Sequence, residues 1–311
     1  MQLKIQKLRD RIASLLSPDK IRILEPMKYH TTFCIGGPVD ALFMPESERE
    51  VLNILEICRE LEIPWMAVGE GSNLLVRDSG IRGVALKTNR ALSRITVDPP
   101  FLQSESGASL SAVCHKAAAY GLSGLEFAYG IPGSIGGAVV MNAGAYGNEI
   151  CELITRVWII DENQSIRMLS KNELNFSYRN SIFQQKQWLI VRVELALHHS
   201  NEQNIRHLMH HLIFERRAKQ PLDLPSAGSV FKRPAGIYVG PLVSSLGLKG
   251  CRVHDAQISK KHGGFIVNLG NASAADVLQL IQHTQTTVQQ KRGIILEPEV
   301  QIIGEDRAPQ F

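Results

Sequence analysis

Two glycine-rich stretches constrain this chain more than any other feature. The first is Gly69-Glu70-Gly71-Ser72-Asn73, leading into Leu74. The second runs Gly130-Ile131-Pro132-Gly133-Ser134-Ile135-Gly136-Gly137-Ala138 and continues as Asn142-Ala143-Gly144-Ala145-Tyr146-Gly147. Without a Cβ, a glycine lets backbone N–H groups come close to phosphate oxygens. Two such loops suit a diphosphate-bearing cofactor, with Ser72, Asn73, Ser134 and Asn142 as additional donors. Neither loop is a Rossmann fingerprint, since Gly69 to Leu74 lacks the third glycine, and neither is a P-loop, since no Gly-Lys-Ser/Thr follows. Taken singly, each reads equally well as a tight turn.

The spacing of apolar residues places these loops in an α+β chain. Met1 to Ser17 alternates apolar and charged residues as an amphipathic leading helix, without the uninterrupted apolar stretch of a signal peptide. Tyr29 to Met44 alternates around Gly36-Gly37, and Ser47-Glu48-Arg49-Glu50 is a capping box for a helix to about Leu61. Short strands follow at 64–68, 74–76 and 84–86. Further strands flank Pro99-Pro100, and a helix from Ser109 to Tyr120 ends at Gly121. The pattern then predicts strands at 156–161 and 188–197, with a capped turn at Ser170 to Glu173 between them. Ser200 opens a helix to Lys219, and Pro221 to Pro225 breaks the chain. Beyond it lie an apolar helix at 239–246, a strand at 265–267, a helix from Ser273 to Arg292 and a closing strand from Ile294 to Ile303. The expected blocks are an N-terminal helix over 1–24, two cofactor-binding parts over 25–91 and 92–220, and a smaller α/β part over 221–311.

With 311 residues, the chain exceeds one ordinary domain of roughly 150 residues. A net charge of +4, from 34 basic and 30 acidic residues, does not announce a nucleic-acid partner and suits an anionic small molecule. No apolar run approaches the roughly 18 residues that a membrane helix needs. The five cysteines, Cys34, Cys58, Cys114, Cys151 and Cys251, form no C-x-x-C, which fits reduced thiols in the cytoplasm. A monomer is expected, since no exposed apolar stripe is evident.

Single residues leave alternatives open. Arg179, in Asn175-Phe176-Ser177-Tyr178-Arg179-Asn180-Ser181, is either a surface arginine or a guanidinium placed to grip a carboxylate through two parallel bonds. Ser229, after Gly228, is either a turn serine or a group that a ligand can approach. Glu299, in Glu297-Pro298-Glu299-Val300, either faces solvent or points inward with a cation or a catalytic task. His207, His210 and His211 have helical spacing without an acidic ligand nearby, which reads as a solvated helix face and not as a metal site.

Taken in order, these segments resemble a known family. Thr31-Thr32-Phe33-x-Ile35-Gly36-Gly37-Pro38, Gly69 to Val76, Gly133-Ser134-Ile135-Gly136-Gly137, Asn142 to Gly147, Ser177-Tyr178-Arg179, Ala227-Gly228-Ser229-x-Phe231-Lys232 and Pro298-Glu299-Val300 are similar to the motifs of UDP-N-acetylenolpyruvoylglucosamine reductases, the MurB family, in its shorter second type. The resemblance implies a two-part FAD-binding domain of the p-cresol methylhydroxylase type followed by a substrate domain. It implies non-covalent FAD, NADPH as hydride donor and a UDP-sugar substrate, in cytoplasmic synthesis of cell-wall peptidoglycan.

By the same resemblance, Arg179, Ser229 and Glu299 are catalytic. Glu299 would be protonated, or paired with a cation, beside the substrate carboxylate. Gly69, Gly71, Ser72, Asn73, Leu74, Gly133, Ser134, Ile135, Gly136, Gly137, Asn142, Gly144 and Arg216 would contact the cofactor. Tyr178, Lys219, Lys232 and Arg233 would contact the substrate. Three positions depart from the family pattern: Cys34 where a basic residue is common, Arg233 in place of Asn, and Gly263-Gly264 in place of Ala-Asn or Ala-Gly. Arg233 could add a contact to the diphosphate. The motifs equally admit another FAD oxidoreductase of the same fold, or a non-catalytic nucleotide-binding protein.

Overall fold

The computed structural model describes residues 2–306. Helix α1 (Gln2–Ile12) buries Ile5, Leu8 and Ile12, spaced to form one face. The leading helix thus stops well before residue 24, and Pro18 opens a turn into strand β1 (Ile21–Pro26). The alternation seen from Tyr29 to Met44 becomes a strand only at β2 (Pro38–Phe43). Ahead of it, left-handed backbone at Cys34 (φ 54°) and Gly36 (φ 147°) turns the chain.

Ser47 caps α2 (Glu48–Glu60) by accepting the Glu50 N–H at 3.2 Å. The Glu50 carboxylate takes the Glu46 N–H instead of that of Ser47, so the expected capping box is half formed. Strands β3 (Trp65–Val68), β4 (Leu74–Val76) and β5 (Ile81–Lys87) follow. Next come the hairpin of β6 (Ile95–Asp98) and β7 (Phe101–Glu105), and α3 (Leu110–Ala119), closed by Gly121 at φ 63°.

The chain then forms β8 (Leu122–Ser123), α4 (Ile135–Met141), the ribbon of β9 (Gly144–Ala145) and β10 (Asn148–Glu149), and the long strands β11 (Ile154–Ile160), β12 (Ile166–Ser170) and β13 (Leu189–Ala196). The capping box at Ser170 and Glu173 is complete. After β14 (His198–His199), Asn201 and not Ser200 caps α5 (Glu202–Lys219), because the Asn201 side-chain oxygen accepts the Gln203 N–H at 2.8 Å. The C-terminal part contains α6 (Val239–Ser245), β15 (Arg252–Val253), β16 (Ala256–Ile258), β17 (Ile266–Asn268), α7 (Ala274–Arg292), capped by the Ser273–Asp276 box, and β18 (Gln301–Ile303). The expected strand from Ile294 is confined to these last three residues, since Pro298 has no N–H to offer a ladder.

Helices and sheets are mixed, as an α+β class requires. One sheet has the order β1-β2-β5-β3, with β3 parallel to β5, and an antiparallel sheet has the order β12-β11-β13-β7-β6. A third is β15-β16-β17, and β18 runs parallel to β4.

Contacts gather the chain into two discontinuous units instead of four consecutive blocks. The first comprises residues 1–22, 41–70 and 83–216; the second comprises 23–40, 71–82 and 217–311. The first has two cores, one where α1 and α2 cover Phe43 and Leu86, the other where α3 and α4 cover the five-stranded sheet. In the second, Phe33, Ile35 and Leu75 share one core with Val243, Ile266, Leu280 and Val300. That shared apolar core recruits two early segments to the C-terminal part.

A buried side chain anchors the first of those segments. Asn268 is 1% exposed. Its side-chain N–H groups donate to the carbonyls of Phe33 (3.1 Å) and Cys34 (3.4 Å), and its oxygen accepts the N–H groups of Gly270 (2.8 Å) and Ala272 (3.0 Å). Losing a side chain that bonds four backbone groups strands the buried ones, the Phe33 carbonyl and the Ala272 N–H. Asn268→Ala should lower the unfolding free energy by about 2–4 kcal/mol in a urea titration; a change near zero would mean these groups have other partners.

Candidate functional site

In the first unit the two glycine loops meet. A Cβ at Gly69 would lie 2.5 Å from Ser134 Oγ, so glycine is what lets the loop after β3 sit against the start of α4. Ser134, 4% exposed, caps α4 by accepting the Gly137 N–H at 3.2 Å. Gly136 serves close packing, since a Cβ there would stand 2.8 Å from Ser106 Cβ. The N–H groups of Ile135 and Gly136 donate to the carbonyls of Ala108 (2.9 Å) and Ser106 (2.8 Å). Three donors that the glycine pattern offers to phosphate are therefore used inside the protein, and they brace the loop.

A second cluster in this unit surrounds Arg179. Tyr178 and Arg179 form a tight turn closed by Ser177 and Asn180, whose backbone groups exchange hydrogen bonds of 3.1 and 3.0 Å. Arg179 takes φ 55° there, and its Nη2 donates to the Gly144 carbonyl at 2.9 Å. Its guanidinium lies 5.0 Å from the Tyr178 ring centroid. Asn142, fully buried, is the left-handed cap of α4; its side chain donates to Glu149 (2.7 Å) and the Ser177 carbonyl (3.0 Å) and accepts the Cys151 N–H (3.2 Å). Its side chain is thus committed to holding the turn that carries Arg179. Gly144 is required beside them, because a Cβ would come within 2.6 Å of the Asn148 carbonyl oxygen.

Arg216, near the end of α5, differs from both clusters: its buried Nε has no hydrogen-bond partner. Burial pushes the guanidinium below its ordinary value. An arginine desolvated in this way calls for an anion, so the site suits a ligand bearing phosphate.

In the second unit Gly71 (φ 63°) packs against the preceding loop, where a Cβ would lie 2.2 Å from the His30 carbonyl oxygen. Asn73 reaches Glu299: its side-chain N–H donates to the Glu299 carbonyl at 3.1 Å, and its own carbonyl accepts the Gln301 N–H at 2.8 Å. Ser72 is half-buried beside it, and Leu74 opens β4 against Gln301.

The segment from Ser229 to Lys232 runs between two others. On one side Ser229 bridges Phe265, and the Val230 N–H donates to the Gly264 carbonyl at 2.9 Å. On the other, Glu299 N–H donates to the Val230 carbonyl at 2.7 Å, and Lys232 N–H to the Glu297 carbonyl at 2.8 Å. Ser229 and Glu299, far apart in sequence, become neighbours through Val230. Glu299 therefore lies in the bend before β18 and not within a strand. Lys232 pairs with Glu297 at 3.4 Å, Arg233 stacks 3.6 Å from the Tyr238 ring centroid, and Lys219 ends α5 on the surface.

Arg179 belongs to the first unit, and Ser229 and Glu299 to the second. His207, His210 and His211 lie exposed on α5, and no group of acid, His or Cys side chains suited to a metal occurs among the described residues. Sequence reasoning missed His262, whose imidazole lies beside Gly264 in the Ser229 region. Its signal was adjacency to Gly263-Gly264, noted only as a departure from the family pattern.

Comparisons with known proteins agree with this layout. Residues 39–170 match the model of an FAD binding domain, and residues 220–303 match that of the C-terminal domain of UDP-N-acetylenolpyruvoylglucosamine reductase. The reductase of Caldanaerobacter subterraneus is 46% identical over 296 residues, covering 95% of this chain and 98% of the relative. The chain belongs to the UDP-N-acetylenolpyruvoylglucosamine reductase family. The reductase of Syntrophomonas wolfei is also 46% identical, over 95% of this chain and 99% of its own length. Among solved structures, the reductase of Thermus caldophilus aligns with a TM-score of 0.77 at 34% identity, covering 91% of this chain and 99% of that one. Arg216, Gly69 and the Ser134 turn all lie in the unit that holds most of the FAD-binding match.

Gly71 and Gly228 separate backbone strain from crowding in this family member. Both have positive φ, yet nothing stands within 4 Å of a Cβ at Gly228. Gly228→Ala should cost only the left-handed penalty of about 1–2 kcal/mol, and Gly71→Ala should cost clearly more in the same urea titration. Equal losses would show that the His30 carbonyl yields.

Proposed function

We propose that this chain reduces UDP-N-acetylglucosamine enolpyruvate to UDP-N-acetylmuramate for peptidoglycan synthesis, with NADPH as electron source and FAD as carrier. The observation that carries this reading is 46% identity with a reductase of that name across 95% of the chain. FAD supplies the chemistry of hydride transfer from NADPH to the methylene carbon of the enolpyruvyl group. Arg216 meets the negative charge of the cofactor, and the Gly69 and Ser134 loops give it a braced surface.

The chain's own residues handle the charge and the proton. Hydride arrival at the methylene leaves negative charge shared between the neighbouring carbon and the carboxylate. Arg179 offers that carboxylate a planar fork, already oriented by Gly144 and Tyr178. Glu299 polarises the same end. Ser229 gives its hydroxyl proton to the carbon, which is basic enough to take it from a weak acid held in place. Tyr178, Lys219, Lys232 and Arg233 bind the nucleotide-sugar.

The reaction runs in the cytoplasm on a monomer. All five cysteines are free, and burial pushes the Cys58 and Cys114 thiols up to about 12, which keeps them unreactive. No helix among the described residues is long and apolar enough to cross a membrane.

Anaerobic spectroscopy separates the two half-reactions. NADPH should bleach the flavin absorbance, and the enolpyruvyl substrate should restore it; a flavin restored only by oxygen would point to an oxidase. Ser229→Ala should leave bleaching intact and slow the return by about 100- to 10,000-fold. Equal loss in both half-reactions would remove Ser229 as proton donor. Arg179→Lys should slow the return by at least about tenfold, because an ammonium lacks the fork. Wild-type turnover would take Arg179 out of the reaction.

A further inference from the structure

We propose that His262 is a positioning residue for Ser229, acting through the backbone of Gly264 while its Nδ1 is unprotonated. The inference rests on the reading of Ser229 as proton donor. The Gly264 N–H donates to His262 Nδ1 at 3.1 Å, and the Gly264 carbonyl accepts the Val230 N–H at 2.9 Å. One residue, Gly264, therefore bonds the imidazole through its N–H and the residue after Ser229 through its carbonyl. A Cβ at Gly264 would lie 3.5 Å from Ser229 Oγ and 3.1 Å from His262 Cε1, so this glycine is the floor between hydroxyl and ring.

The ring is fixed on its other sides. Phe265 meets it edge to face with centroids 5.0 Å apart, and a Cβ at Gly240 of α6 would stand 2.9 Å from Cε1. The backbone N–H of His262 donates to the Ser259 hydroxyl at 3.2 Å, which holds the main chain that carries the ring. Because Nδ1 accepts a hydrogen bond, the single ring proton of the neutral form sits on Nε2. A second proton would turn Nδ1 into a donor facing the Gly264 N–H, and the link to Val230 would loosen.

The neutral form is favoured where the ring sits. Burial lowers the imidazole below its ordinary value against an opposing backbone hydrogen bond at His262 itself, and the positive charge of Lys249, after α6, acts with the burial. Gly240, Gly264 and Phe265, which meet the ring, carry no charge. Loss of positioning is therefore expected on the acid side of an ordinary histidine value of about 6.5.

The test follows flavin return by the enolpyruvyl substrate against pH in the holoenzyme, for the wild type, His262→Asn and His262→Phe. Asn Oδ1 can replace Nδ1 as acceptor and does not titrate, so this variant should keep the neutral-pH rate and lose the acid fall. Phe keeps the ring shape without the acceptor and should slow the return by about tenfold, with NADPH bleaching unchanged. An acid fall that persists in the Asn variant, or a wild-type rate in the Phe variant, overturns the proposal. If the Phe variant does not retain flavin, the pH profile of the Asn variant decides. Wild-type return in Ser229→Ala would instead overturn the reading of Ser229; an inactive Ser229→Ala beside a normal Phe variant would overturn only the role of His262.

Discussion

The backbone hydrogen bonds on both sides of Val230 are the constraint on which the chemistry of the second unit depends. Its N–H is held by Gly264 and its carbonyl receives the N–H of Glu299, so a single residue ties the backbone beside Ser229 to two segments distant in the chain. The bridge from Pro298 to Phe231 and the bend at Val300 belong to the same arrangement. A regular strand through Glu299 would continue the ladder with β4, whereas the bend lets Glu299 pair with Val230 and lets Asn73 bind its carbonyl.

The first unit shows the same economy with glycine. Gly136 and Gly144 are there because neighbouring backbone leaves no room for a Cβ, and Gly69 because Ser134 does. The N–H groups of the α4 first turn are spent on Ala108, Ser106 and Ser134, so the turn is stiff before any ligand arrives. Arg216 differs in that its buried Nε has no hydrogen-bond partner within the protein. Asn142, read from sequence as a cofactor contact, uses its side chain to hold the Arg179 turn. Its left-handed backbone explains why asparagine suits that cap.

Much of the fold was legible in local pattern. The spacing of apolar residues placed α2, α3 and α7 within a residue or two, and the boxes at Ser170 and Ser273 are formed. The same reasoning overextended the last strand and chose Ser200 over Asn201, because neither a proline's missing ladder bond nor the choice between adjacent capping residues shows in apolar spacing. Consecutive blocks were the natural reading of a chain with a break at Pro221. In the structure, Phe33, Ile35 and Leu75 complete a core whose other members lie from Ala227 onward.

The sequence by itself determined the family, the α+β class, the residue types that flavin-dependent reduction of an enolpyruvyl group needs, and their order along the chain. Seven short motifs in sequence carry that information because each is constrained locally, by a turn, a cap or a close approach. Only the tertiary structure decided that the residue after Ser229 is bonded to Glu299 and Gly264, that Asn73 reaches the chain before β18, and that Asn268 holds the Phe33 loop. These are hydrogen bonds between segments distant in the chain, and their partners are chosen by how the cores pack, which no local spacing encodes.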